Sequence, residues 1–231
     1  MRGTGKAGIT VDGKRHPRIN KMVRGFFIIL MAQKLLLLRH GDIGKQYQDR
    51  YIGSTDASMS LLGHQQVRSV RALLDTEGPC RCISSPMARC RETAAAVMET
   101  ADMDFTVDPD LREIDFGQWE GMAFGEIQKA FPGEISKWAE FNADFAFPGG
   151  DKIGDFQERI VGVAERLVGN PADTILVCTH GGVIRLLICH FLGLQPRHYI
   201  LFRVKHASLT TIELFGGSGI LAGLNETGRA E

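Results

Sequence analysis

Residues 35–38 are four consecutive leucines, and the run ends in Arg39-His40-Gly41. A segment with no polar face reads as a strand buried on both sides, as in a parallel sheet covered by helices. Residues 175–179 repeat the pattern and end in His180-Gly181-Gly182. Between these strands, helical and strand periods alternate. Ser60 caps a predicted helix running to about residue 74, with Val67, Val70, Leu73 and Leu74 on one face. Residues 80–84 predict a short second strand. Ser85-Pro86 then supplies an N-cap and a proline at the first helical position for a helix through residue 100, and residues 105–107 predict a third strand. Phe156, Ile160, Val163, Ala164 and Leu167 make another helical stripe. The His180 strand leads into an apolar helix ending near residue 192, and residues 208–214 predict a final strand.

Two stretches break the alternation. Residues 111–148 are irregular to helical and rich in aromatics: Trp119, Phe124, Phe131, Trp138, Phe141, Phe145 and Phe147. Such density reads first as local core, and residues 116–148 also suit a helical lid over the strand ends. After Phe215 glycines dominate, so residues 216–231 are expected to form a flexible tail. The strand–helix alternation predicts an α/β fold with a mostly parallel central sheet, whose ligands lie beyond the carboxyl ends of its strands. At that edge the chain places two histidines. Arg-His-Gly alone is a weak signal, and strand-end histidines are compatible with loop residues or metal ligands. Arg39 and Arg185 beside them disfavour a metal, because a guanidinium stays charged next to a cation.

The chain has 231 residues, 44 % of them hydrophobic, enough for one ordinary domain with a large core. Its formal charge of zero is unevenly spread. Residues 1–25 hold seven Lys/Arg and one acid, so the remainder carries about six more acids than bases. An acidic body argues against a nucleic-acid partner. The apolar stretch at residues 26–32 is too short for a membrane span and lacks a signal-peptide cleavage pattern, so no membrane partner is expected. Residues 1–30 are expected to be a disordered or non-native extension, with Met31 as a plausible start. Five cysteines (80, 82, 90, 178 and 189) without paired spacing fit core thiols in a reducing, cytoplasmic setting.

Further patterns follow in order. Arg50-x-x-Gly53-x-x-Asp56 lies after the first strand. Then come Ser84-Ser85-Pro86-Met87-Ala88-Arg89, Leu111-Arg112-Glu113-Ile114-Asp115-Phe116-Gly117, and Thr179-His180-Gly181-Gly182-Val183-Ile184-Arg185. With Arg39-His40-Gly41-Asp42 these closely resemble the histidine phosphatase superfamily, the group that includes phosphoglycerate mutases, over about residues 34–214. The resemblance implies a three-layer α/β/α sandwich spanning residues 31–215 and a phosphoric monoester hydrolase. It also implies a phosphohistidine on His40, with His180 stabilising the transferring group and no cofactor or metal. Gly181 stands where the acid-phosphatase branch carries Asp, which supports the mutase-like branch.

The residue types suit that chemistry. Phosphoryl transfer needs positioning and charge stabilisation on three equatorial oxygens, and Arg39 and Arg89 offer planar forks for them. Nearby arginines favour the neutral, nucleophilic form of His40. Gly41 and Gly181 are expected to let backbone approach the anion. The leaving oxygen needs a proton, and Glu113 occupies the family's Leu-x-Glu position; its alternative role is an ion pair with Arg39 or Arg112. Gln46, Arg50 and Gly53 complete the expected substrate contacts. Departures from the family are Asp42-Ile43 in place of Glu-Thr, Gln46 in place of asparagine, and His206 where small polar residues or Asn are common.

Residues 147–151 (Phe-Pro-Gly-Gly-Asp) resemble the Pro-Gly-Gly-Glu-Ser pattern of the family's compact phosphatases, and residues 201–204 (Leu-Phe-Arg-Val) are similar to alpha-ribazole phosphatases, which act in cobalamin nucleotide-loop assembly. The expected partner is therefore a small phosphorylated metabolite, with a homodimer left open. Two alternatives stand beside this reading: a 2,3-bisphosphoglycerate-dependent phosphoglycerate mutase, and a catalytically inactive protein that binds phosphorylated ligands.

Overall fold

The computed structural model describes residues 33–75, 81–98 and 104–228. Six strands form one sheet: β1 (Gln33–Arg39), β2 (Arg81–Ser84), β3 (Phe105–Val107), β4 (Thr174–Thr179), β5 (Leu209–Phe215) and β6 (Ser218–Glu226). Their spatial order is β3-β2-β4-β1-β5-β6. The first four run parallel, while β5 pairs antiparallel with β1 and β6 with β5. The α-helices are α1 (Leu61–Leu74), α2 (Ala88–Met98), α3 (Phe124–Ala130), α4 (Pro132–Ala139), α5 (Ile153–Val168) and α6 (Gly181–Phe191).

The leucine run explains the layering. Leu35 and Leu37 point into one core with α5, α6 and the aromatic segment; Leu36 and Leu38 point into a second with α1 and α2. All four are fully buried, each worth roughly 1.5–3 kcal/mol of transfer free energy. The result is the expected α/β/α sandwich. Ser60 caps α1, its hydroxyl accepting from the Gly63 N–H at 3.0 Å.

Two expectations change. Residues 216–231 are not simply a flexible tail: residues 218–226 form edge strand β6. Gly216 and Gly217 both adopt positive φ (58° and 87°), the requirement of a tight hairpin turn. Leu221 and Leu224 then pack against the core, so these glycines mark a turn rather than disorder. Second, α2 begins at Ala88, and its first N–H donates to Asp56 at 2.6 Å. The Ser85 hydroxyl faces His180 at 2.8 Å and accepts the Met87 N–H only at 3.4 Å, so Ser85 lies ahead of the helix and does not cap its first turn. The 116–148 segment has the local core its aromatic density predicts. Trp119 is fully buried and meets Tyr51, Trp138 and Phe147 at 5.2–6.1 Å between ring centroids. The expectations for residues 1–30, Met31, Cys80 and residue 100 fall outside the described residues. No helix among the described residues is long and apolar enough to cross a membrane.

Candidate active site

The sheet register brings the two histidines together. Arg39 pairs with Thr179 at the end of the parallel β1–β4 ladder, and the His40 N–H donates to the Thr179 carbonyl at 3.0 Å. His40 and His180 therefore face each other with ring centroids 5.3 Å apart, both buried. His40 Nδ1 lies 2.8 Å from the Gly41 carbonyl. A carbonyl only accepts, so Nδ1 carries the proton and Nε2 keeps a lone pair. Burial, then His180, Arg39, Arg89 and His206, hold the His40 pKa well below the ordinary imidazole value. Burial, with Arg89 and Arg39, does the same for His180. His180 Nε2 meets the Ser85 hydroxyl at 2.8 Å, and the buried Cys90 thiol lies 3.4 Å from the same nitrogen. Burial pushes that thiol up to about 12, so it stays protonated.

Two guanidinium groups flank this pair. Arg39 donates to the Val204 carbonyl at 2.7 Å and meets His206 Nε2 at 2.8 Å; since arginine only donates, His206 accepts. Burial pulls Arg39 down to about 10, opposed by Glu113, leaving it cationic at neutral pH. His206 is pulled down to about 4 by burial and then by Arg39, so it remains the neutral acceptor. Arg89 is wholly buried in the first turn of α2 and donates to the carbonyls of Thr55 and Gly53 at 2.6 and 2.8 Å. The Nε–H groups of Arg39 and Arg89 have no protein partner. Two unmatched buried donors on charged groups suit a multiply charged oxyanion.

Glu113 is fixed by backbone. Its carboxylate accepts the Gly182 N–H at 2.8 Å and the Ile114 N–H at 3.1 Å. The segment carrying it is tied to β4 by the Thr179 hydroxyl, which donates to the Leu111 carbonyl at 2.8 Å. It is also tied to α5 by Arg159, which donates to the carbonyls of Asp110 and Arg112.

Two adjoining cavities open at this edge and share Arg39, Asp49, Arg50 and Ile52. One, of about 570 Å³, is lined by His40, Asp42, Arg203, Lys205 and His206. The other, of about 550 Å³, holds Glu113, Gly181, Gly182 and Arg185 under an aromatic wall. The structure thus gathers Arg39, His40, Arg89, Glu113, His180, Arg50 and Gly181 at one place.

Three expected contacts differ. Gln46 is exposed in a short 3-10 helix and lines neither cavity. Gly41 serves packing: its N–H donates to the Thr93 hydroxyl, and a Cβ there would lie 2.8 Å from the Gly63 carbonyl. Gly53 spends its N–H on Glu120 and its carbonyl on Arg89, and a Cβ would meet the Ile114 carbonyl at 1.9 Å. It positions Arg89 rather than ligand. Sequence reading missed Ser85 as a partner of His180 and gave Arg185 no role beyond disfavouring a metal. Among the described residues no cluster of three or more His, Cys, Asp or Glu could hold a metal ion.

A family model described as histidine phosphatase superfamily (branch 1) matches residues 35–227. A bifunctional protein of Mycobacterium tuberculosis is 32 % identical over 200 residues, covering 84 % of this chain and 54 % of its own length. The chain spans about half the length of the first curated relatives it matches. A glucosyl-3-phosphoglycerate phosphatase of Mycolicibacterium vanbaalenii is 29 % identical over 173 residues, covering 71 % of this chain and 76 % of its own. The solved structure of a putative alpha-ribazole-5'-P phosphatase from Escherichia coli superposes with a TM-score of 0.77 at 25 % identity, covering 84 % of this chain and 97 % of its own.

Proposed function

This chain belongs to the histidine phosphatase superfamily (branch 1), and we propose that it is a phosphomonoesterase working through a phosphohistidine on His40. The observation that carries this reading is the His40 ring, held by the Gly41 carbonyl so that Nε2 keeps its lone pair beside His180 and the two arginines. In the first step Nε2 attacks phosphorus while the phosphorus–oxygen bond of the ester breaks, and Glu113 gives its proton to the departing alkoxide. Arg39, Arg89 and His180 stabilise the charge on the equatorial oxygens. In the second step water attacks the phosphohistidine, Glu113 takes back a proton, and phosphate leaves with the lone pair restored to Nε2.

Within this class we favour alpha-ribazole 5'-phosphate as substrate. The 201–204 pattern supports it, as does likeness to the solved structure of a putative alpha-ribazole-5'-P phosphatase. Acid-quench trapping with labelled ester, in the presence of EDTA, tests the mechanism. Label is expected on the wild-type protein and not on His40→Ala. Label retained by His40→Ala overturns the assignment. A substrate panel of alpha-ribazole 5'-phosphate, glucosyl-3-phosphoglycerate and 3-phosphoglycerate tests the substrate. Isomerisation of 3-phosphoglycerate without hydrolysis of any ester would show a mutase instead.

A further inference from the structure

The two cavities differ in what they offer a reacting ester, and that difference assigns the leaving group. His40 lines the polar cavity; Glu113 lines the aromatic one. An acid that protonates the leaving oxygen must lie within hydrogen-bond reach of it. On the reading of Glu113 given above, the alcohol therefore departs on the aromatic side. That wall includes Trp138, Phe141 and Tyr199. Phe141 and Tyr199 are stacked, with centroids 4.1 Å apart and planes 20° from parallel.

Arg185 stands apart from the other arginines here. Arg39 spends its fork on the Val204 carbonyl and His206 Nε2, and Arg89 and Arg159 spend theirs on backbone carbonyls. Arg185, one turn into α6, lies 5.8 Å from the Tyr199 ring centroid; like Arg39 and Arg89 it has a buried Nε–H without a partner, but its fork makes no hydrogen bond among the described residues. It also faces the like charge of Arg39. A guanidinium held under an aromatic ring inside a cavity, with an unmatched donor, is built to meet an acceptor on a ligand.

We propose that the aromatic cavity is the leaving-group subsite and that Arg185 determines specificity within it. The preferred alcohol carries a planar or apolar body that lies against Trp138, Phe141 and Tyr199, plus a hydrogen-bond acceptor that Arg185 takes. This inference rests on the phosphomonoesterase reading and adds the substrate class to it. It sets a ring-bearing ester above small, wholly polar ones.

The test compares glycerol 3-phosphate, benzyl phosphate and 3- and 4-carboxybenzyl phosphates, whose benzylic leaving oxygens are of similar basicity. Benzyl phosphate is expected to exceed glycerol 3-phosphate in kcat/KM by about tenfold, the effect of burying a ring. One carboxybenzyl ester is expected to gain about another tenfold, mainly in KM, the effect of a charged hydrogen bond. Arg185→Ala is expected to erase the carboxylate gain, Arg185→Lys to retain part of it, and Tyr199→Leu to reduce the ring preference. Near-equal values for glycerol and benzyl phosphates, or a carboxylate gain that survives in Arg185→Ala, overturns the subsite. Phosphohistidine on His40 is measured alongside. Label with no discrimination removes only the subsite, whereas absence of label and of turnover removes the phosphomonoesterase reading and the subsite with it. Thermal melts confirm folding, and Arg185→Lys carries the test if the alanine variant does not fold.

Discussion

Gly182→Ala isolates the acid from the rest of the site. Gly182 is the second residue of α6, with helical backbone that alanine adopts freely. A Cβ there would lie 2.3 Å from Glu113 Oε1 and 3.0 Å from its Cδ. Ordinary carbon–oxygen contact begins near 3.4 Å, so the carboxylate must retreat by roughly 1 Å. Because the obstructing atoms are the far end of a side chain, the helix is not forced to move. Alanine in place of glycine offers up to about 1 kcal/mol of helix stability, so the melting temperature is expected to hold or rise. A displacement of that size costs about a hundredfold in a step that needs the displaced group. The loss should depend on the leaving group. Benzyl phosphate, whose alkoxide is a poor leaving group, is expected to lose about a hundredfold in kcat, and 4-nitrophenyl phosphate, whose phenolate departs without a proton, less than about tenfold. Steady-state kinetics on the two esters with melting curves decide it. Equal losses on both esters, or undiminished benzyl phosphate turnover, would refute Glu113 as the proton donor.

Other expectations follow from the same geometry. His40→Ala should lower phosphatase activity by about three orders of magnitude or more while the fold persists, read as turnover alongside circular dichroism. His40, His180 and His206 have folded-state pKa values below the unfolded value of about 6.5: well below for the first two and about 4 for His206. The unfolded chain therefore binds more protons in acid, so these groups cost nothing above pH 6.5 and remove stability as pH falls from 6.5 towards 4. Denaturant midpoints at pH 7 and pH 5 should show that fall, and His206→Asn should make it shallower; identical midpoints in the wild type would contradict the buried neutral histidines. Gly53→Ala should destabilise by about 1–3 kcal/mol or more, because the Cβ meets the Ile114 backbone carbonyl at 1.9 Å, and it should lower activity by disturbing the carbonyl that holds Arg89; urea titration and turnover check both.

The legible parts of this protein were those written in local periodicity. Four leucines in a short run ending at Gly41 read as a strand buried on two faces, and the stripe from Phe156 to Leu167 reads as a helix with one apolar side. What periodicity misread was punctuation whose meaning depends on a neighbour. Gly216 and Gly217 resemble a loose tail until β5 supplies a partner for β6. Ser85 has the form of a helix cap, yet its hydroxyl serves His180, ninety-five positions away. Gly41 and Gly53 have the form of anion-binding glycines, yet each is small because another segment's backbone passes against it.

The sequence by itself determined the sheet-and-helix layering, the placing of His40 and His180 at strand ends, and the family to which their flanking residues point, since these follow from burial pattern and residue type. Tertiary structure alone decided the rest. Parallel register sets the two imidazoles side by side, burial among arginines keeps them neutral, and the fold divides the cleft into a polar and an aromatic side. Those outcomes depend on contacts between residues far apart in the chain, and no local pattern carries a distance.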